Sequence, residues 1–315
     1  GTSYSATFTP SGDGSKSISI AGGVFADAAG NGNSASNTYT YAYDSTAPTL
    51  SVTSSVSDGG LSTGTELFTF TSSESTTDLT ASDITVTGGA INAFSGSGTS
   101  YSALFMPSGD GSKSISIADG AFNDAAGNGN SASNTFTYTY DGTAPTLSVT
   151  SSVSDGGLSN SGSETFTFTS SESTTDLTAS DITVSGGTIS SLTGSGTSYS
   201  ATFTPSGDGS KSISIEGGAF TDAAGNGNSP SNTYTYTYDG TGPTITSASS
   251  VNFLENGTGI VIALTADESV SSWGLGGIDA ALFTLDGSGN LSFNAAPDFG
   301  VMNDANTDNA YELSV

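Results

Sequence analysis

The sequence has no cysteine and no histidine, and its 30 aspartates and glutamates face only three basic side chains, all lysine. Without cysteine, neither a disulfide framework nor a thiolate metal site can form. Without histidine, every His-based catalytic triad, the usual general base near neutral pH and the commonest zinc and copper ligand are gone. A net charge of -27 repels phosphate backbones and anionic lipid, so nucleic acid is excluded as a partner and cations become the natural ones. No apolar run approaches the roughly 18 to 20 residues that span a bilayer, so no direct membrane insertion is expected. The start also lacks the basic and apolar regions of a secretory signal, and because Gly1 falls inside a repeat the chain reads as part of a longer protein.

Repetition is what the sequence does contain. GTSYSATFTP at Gly1 returns as GTSYSALFMP at Gly98 and as GTSYSATFTP at Gly196. Pro48 and Pro145 stand 97 residues apart, Pro145 and Pro243 98 apart, and the extra residue falls in GGLSNSGSETF against GGLSTGTELF, which marks a loop. The division that follows is 1–44 as the back half of a repeat, 45–141 and 142–239 as complete repeats, and 240–315 as something different.

Within one unit, seven alternating segments bounded by Gly, Ser, Asn and Asp read as strands: TLSVTSS, ELFTFTSS, SDITVTGG, AINAFSG, SYSALFMP, SKSISIADG and NTFTYTYD. No helical period is sustained, so the expected class is all-β. Seven short antiparallel strands per hundred residues predict tandem immunoglobulin-like Greek-key β-sandwiches in an elongated array. In the second repeat the expected core is Leu147, Val149, Phe166, Phe168, Ile182, Val184, Tyr199, Phe203, Ile213, Ile215, Tyr234, Tyr236 and Tyr238. The single lysine of each unit, such as Lys113, reads as an exposed residue beside a turn.

Acidic residues recur at fixed offsets: Asp27, Asp124 and Asp222 in DAAGNGN, and Asp44, Asp141 and Asp239 just before Thr-Ala-Pro or Thr-Gly-Pro. Strands running alternately up and down bring the second-to-third, fourth-to-fifth and sixth-to-seventh loops to the end where the unit begins. Asp44, Glu74, Asp78, Asp83 and Asp124 then converge at one junction, and Asp141, Glu172, Asp176, Asp181 and Asp222 at the next, with Asp13 or Asp110 added from the preceding unit. Calcium, which takes six to eight oxygens from carboxylates, carbonyls, Asn and water, suits such a set better than magnesium. Taken singly, each of these aspartates is also ordinary turn chemistry.

On TAPTLSVTSS, LTASDITV, SATFTPSGDGSKSISI and DAAGNGNSAS, the units resemble the bacterial Ig-like repeats of giant type I-secreted, RTX-type adhesins and biofilm-associated proteins. The resemblance covers residues 1 to about 240. It implies an extender stalk at the bacterial cell surface, stiffened by Ca2+ at interdomain junctions, with Asp44 and Asp124, and Asp141 and Asp222, as ligands. The tail resembles a cadherin-like module, which implies calcium-type positions at Glu255, Asp304 and Asn309; Gly300 replaces an expected acid, and the module is expected to be partial.

The leading functional expectation is therefore an extracellular structural segment, with calcium ions and neighbouring repeats of the same chain as partners. One alternative is a fibre subunit whose open edges are completed by strand exchange between like chains. Another is a glycan- or protein-binding module using Trp273, Tyr311 or the loop WGLGGIDA. Catalysis is not expected: a carboxylate pair such as Asp78 and Asp83 could serve a glycosidase only beside a substrate cleft.

Overall fold

A computed structural model describes residues 1–301, 303–308 and 310–315. Asn309 lies outside the described residues. The chain forms two compact units, one of residues 1–156, 163–204 and 211–236, the other of residues 157–162, 205–210 and 237–315.

In the first unit, β1 (Gly14–Ile18) and β2 (Tyr39–Tyr43) pair as an antiparallel ribbon. The first complete repeat follows with β3 (Leu50–Ser54), β4 (Leu61–Ser62), β5 (Glu66–Thr76), β6 (Ile84–Thr87), β7 (Gly89–Pro107), β8 (Gly111–Ile117) and β9 (Phe136–Tyr140). These make a three-stranded sheet, β3-β5-β7, and a four-stranded sheet, β4-β9-β8-β6. Their alternating Phe, Ile, Val and Tyr suit a surface buried on one face. The register sets Val52 opposite Phe70 and Phe68 opposite Ala103 in one sheet, and Ile84 opposite Ile117 and Ile115 opposite Phe136 in the other. All eight point into a shared core, where Phe68 meets Phe136 edge-on at 5.2 Å between ring centroids.

Two details depart from the simple alternation. A short strand absent from the sequence expectation follows the first one: at Ser57–Gly60 the chain leaves β3, and β4 joins the opposite sheet in parallel with β9. Asp58 fixes this crossing by accepting from the Thr137 N–H at 2.7 Å and the Thr137 hydroxyl at 2.9 Å. The predicted fourth and fifth strands run on as β7, which doubles back at Gly96–Gly98; Ser95 Oγ lies 3.2 Å from Ser102 Oγ across the bend. A Cβ at Gly89 would lie 2.3 Å from the Phe105 ring, so only glycine allows the hairpin to close over the core.

The second repeat carries the same seven elements, β10 (Leu147–Ser151), β11 (Gly157–Ser159), β12 (Glu164–Thr174), β13 (Ile182–Ser185), β14 (Gly187–Pro205), β15 (Gly209–Ile215) and β16 (Tyr234–Tyr238), with the sheet order β10-β12-β14 preserved. Of its expected core, only Val184 and Tyr238 are half-buried rather than buried; Leu177 and Phe220, contributed by loops, are buried as well. No α-helix occurs among the described residues, where helical structure is limited to short 3-10 turns such as Ala81–Asp83 and Ala179–Asp181.

Residues 1–44 repeat the second half of this sandwich without its first half. Phe8, Ile18, Ile20, Phe25 and Tyr39 are exposed, whereas their equivalents Phe105, Ile115, Ile117, Phe122 and Phe136 are at most 5 % exposed. In the second unit, β17 (Ile260–Ala263), β18 (Phe283–Leu285) and β19 (Asn290–Phe293) form a sheet in the order β17-β19-β18.

Core truncation should separate the two faces of β12. Phe168→Ala, at a fully buried site, should cost about 3 to 5 kcal/mol, and Thr169→Ala, facing solvent, no more than about 0.5 kcal/mol, read as midpoint shifts in urea unfolding.

Candidate metal centres at the repeat linkers

Three acidic side chains from separate parts of the sequence meet where the first complete repeat begins. Asp44 enters from the linker after β2, Glu74 stands near the end of β5, and Asp124 opens the hairpin that follows β8; one carboxylate oxygen of each lies within 4.8 Å of the others. Asp141, Glu172 and Asp222 form the same set at the next linker.

The hairpin DAAGNGN aims its own acid. Asp124 Oδ1 accepts from the N–H groups of Ala126 and Asn128 at 2.9 Å, and Oδ2 from the Asn128 amide at 2.8 Å. These are the short-range bonds that make Asp a turn residue. The same amide reaches the linker: Asn128 Nδ2 donates to the Asp44 carbonyl at 3.2 Å, and Asn226 Nδ2 to that of Asp141 at 2.9 Å.

A second carboxylate grips each linker from the repeat before it. Asp110, in the turn between β7 and β8, accepts from the Gly142 N–H at 2.8 Å and from the Thr143 hydroxyl. Asp13 holds the Ser45 N–H at 2.9 Å, the Ser45 hydroxyl at 2.8 Å and the Thr46 hydroxyl.

The electrostatics divide these acids by role. Burial, then the charges of Asp44, Asp124 and Asp13, push the Glu74 carboxyl up; burial, then Asp141, Asp222 and Asp110, do the same to Glu172. The Asn128 amide holds Asp124 below the ordinary carboxylate range, and hydrogen bonds from Thr46 and Ser45 hold Asp13 there. At Asp222 burial acts upward, but the Asn226 amide and three backbone N–H groups outweigh it. The glutamate is thus the member of each set without donors to offset its neighbours' charge.

Lys113 corrects the expectation of an exposed lysine. It is 2 % exposed, as is Lys211, because in GSKSISI it shares the inward phase of Ile115 and Ile117. Its ammonium donates to the carbonyls of Gly109 at 2.6 Å and Ser108 at 3.2 Å and lies 5.8 Å from the centre of the Tyr140 ring. The buried cation therefore holds the turn that presents Asp110 to the linker.

Residues 44–140 and 141–238 each match the family model for the bacterial Ig-like domain. The chain belongs to that family. Among solved structures it is similar to invasin, a bacterial integrin-binding protein, at 12% identity over 84% of this chain and 58% of that one, with a TM-score of 0.43. The chain thus spans little more than half of the invasin structure. It is also similar to the I9–I11 tandem of titin, at 11% identity over 81% of this chain and 89% of that one, TM-score 0.25. A third is the Yersinia pseudotuberculosis adhesin InvE, at 11% identity over 61% and 58%, TM-score 0.22. No curated protein matches the chain.

Around the bacterial Ig-like repeats, the other acids singled out in the sequence take different places. Asp83 and Asp181 stay out of the clusters: each closes a capping box, accepting from the N–H and hydroxyl of Thr80 and of Thr178 at 2.7 to 2.8 Å. Asp78 and Asp176 anchor the hairpin, through the N–H of Asn123 and of Thr221 at 3.1 Å. Asp27 repeats the Asp124 turn on an exposed hairpin, accepting from Ala29 and Asn31 at 2.9 Å. Glu255 lies in an exposed turn, and Asp304 is buried in the tail, accepting from the Asp308 N–H at 2.8 Å. Tyr311 packs on Phe283 and Phe293, and Trp273 lies half-buried against Gly289.

Asp239 keeps company that the sequence reading missed. In the second unit, Asp208, Asp239, Asp267 and Glu268 line a recess of about 480 Å3 with Thr241 and Tyr238. Asp208 repeats the grip of Asp110, accepting from the Gly240 N–H at 2.7 Å and the Thr241 hydroxyl at 2.5 Å. Burial and the charges of Asp239, Asp267 and Asp208 push Glu268 up, as at Glu74 and Glu172. The signal was the Glu-Ser pair, Glu74-Ser75 and Glu172-Ser173, which returns as Glu268-Ser269.

Replacing the buried cation tests the turn. Lys113→Met keeps the apolar stem but leaves the Ser108 and Gly109 carbonyls without their donor, and should cost about 1.5 to 3 kcal/mol in urea unfolding.

Proposed function

We propose that the chain is an extender segment of a bacterial cell-surface adhesin, and that calcium held at its linkers stiffens it. The observation that carries this reading is the meeting of Asp44, Glu74 and Asp124, and of Asp141, Glu172 and Asp222, at successive linkers. The donors there are all oxygen, carboxylates beside the linker carbonyls, with no nitrogen or sulfur ligand. That is the chemistry of a hard cation, and calcium tolerates the irregular arrangement better than magnesium does.

An ion at each set would neutralise carboxylates from the linker and from the following repeat together, so that bending would separate its ligands. Extracellular calcium modules bind at roughly 0.1 to 1 mM, so in this reading the sites fill outside the cell. No described helix is long and apolar enough to cross a membrane. In this reading Asp239, Asp267 and Glu268 provide a third site, residues 240–315 are a cadherin-like module of an RTX-type biofilm adhesin, and the chain performs no catalysis. A second reading is a fibre built by strand exchange between copies; sedimentation that stays monomeric at high concentration would dispose of it.

Thermal unfolding in calcium and in EGTA tests the first reading. At ten- to hundredfold excess over the dissociation constant, each filled site should add about 1.4 to 2.7 kcal/mol and raise the midpoint; equal midpoints would overturn the proposal. Glu172→Gln should change sign with conditions, raising the midpoint in EGTA, where it removes repulsion, and lowering it in calcium, where it removes a ligand.

The pH dependence follows from the same shifts. The folded chain binds the protons of Glu74 and Glu172 more tightly than the unfolded chain, so without ion this part of the stability is lost as pH rises from the ordinary glutamate value of 4.5 through the raised folded value. Asp13, Asp110, Asp124 and Asp222 are depressed, so their part is lost as pH falls below 3.8 through the folded values. Ion-free protein should therefore be most stable on the acid side of neutrality, and calcium should move the optimum toward neutral pH in a series of melts.

A further inference from the structure

We infer that Asn31, Asn128 and Asn226 are spontaneous deamidation sites, and that a closed linker protects the amide that helps to hold it. All three sit in the identical heptapeptide DAAGNGN, each followed by an exposed glycine. A glycine lacking Cβ lets its backbone nitrogen approach the preceding side chain, which makes Asn-Gly the least hindered site for ring closure. In that step the glycine nitrogen, giving up its proton to solvent, bonds to Asn Cγ while the Cγ–Nδ2 bond breaks and ammonia leaves. Water then opens the cyclic imide at either carbonyl, giving aspartate or isoaspartate. The sum is amide plus water to acid plus ammonia, with no oxidant or reductant required.

Identical local sequence makes the intrinsic rates equal, so tertiary contacts alone set them apart. Asn31 is exposed, and its amide donates to one acceptor, Asp27 Oδ2 at 2.9 Å. Asn128 and Asn226 are half-buried, and each amide donates to two acceptors: its own hairpin aspartate, at 2.8 and 3.0 Å, and the linker carbonyl of Asp44 or Asp141, at 3.2 and 2.9 Å. Rotating either amide toward the attacking nitrogen breaks the extra bond first. The product matters because of where it lies. A carboxylate at position 226 turns two donated bonds into repulsions from the Asp222 carboxylate and the Asp141 carbonyl, and adds a charge beside Asp141, Glu172 and Asp222. A linker that opens thus exposes its own tie to irreversible loss.

The test incubates the full chain at mildly alkaline pH and follows each heptapeptide by mass after digestion; the flanking residues distinguish the three. Asn128 and Asn226 should convert about tenfold or more slowly in the folded chain than in concentrated urea, where all three should share one rate. Asp110→Ala removes the grip on Gly142 and Thr143 from outside the hairpin, and should speed Asn226 by about tenfold while leaving Asn128 in the same molecule unchanged. Rates at Asn128 and Asn226 that are the same in the folded chain as in urea would overturn the inference, as would an unchanged Asn226 rate in Asp110→Ala or rates that stay unequal in urea.

Discussion

Thirty carboxylates share a chain with three ammonium groups, so almost every acid must find its donors among backbone N–H and hydroxyl groups. Some do so within a few residues and others across the repeat. Asp58 fixes the crossing between sheets, Asp83 and Asp181 cap turns, Asp124 and Asp222 shape hairpins, and Asp13, Asp110 and Asp208 grip the linkers. The turns rich in Gly, Ser, Thr and Asn are what make this possible, since they offer N–H and hydroxyl donors outside the ladders. Glu74, Glu172 and Glu268, whose carboxyls burial and neighbouring charge push up, stand together with the linker aspartates. Asp124 and Asp222 do both, shaping their hairpins while joining the sets at Asp44 and Asp141.

The two kinds of lysine contact show the same economy from the other side. The Lys113 ammonium holds the carbonyls of a turn, and the turn delivers Asp110 to the next linker. The linker at Asp141 is therefore held on both sides, by Asp110 from the repeat before and by Asn226 from the repeat after.

Much of the fold was legible because one period carried it. Phe166, Phe168, Phe203, Ile213 and Ile215 alternate with Ser and Thr, and nothing but a pleated surface buried on one side fits that pattern. The breaks were harder to see. The crossing of β4 depends on Asp58 reaching Thr137, a bond between positions far apart in sequence. At the linkers, strands running alternately up and down bring Asp44, Glu74 and Asp124 to one end, but the alternation does not rank the acids there. A capping box written as Thr80-Ala81-Ser82-Asp83 was available to separate Asp83 from the rest. Lys113, in phase with Ile115 and Ile117, was equally readable as inward-facing, had its charge not outweighed its position.

Asn134 ties the last part of each repeat to the first, with Val52 N–H donating to its Oδ1 at 2.8 Å and its Nδ2 donating to the Val52 carbonyl at 3.0 Å. Asn232 does the same with Val149. Neither tie can form until nearly the whole repeat is free, so a chain made or released residue by residue always carries one sandwich that is not yet closed. The apolar strips seen uncovered on residues 1–44 are what every repeat would present during that interval, beside neighbours of almost identical sequence. For such a chain, the speed of closure governs whether a repeat pairs with itself or with the next.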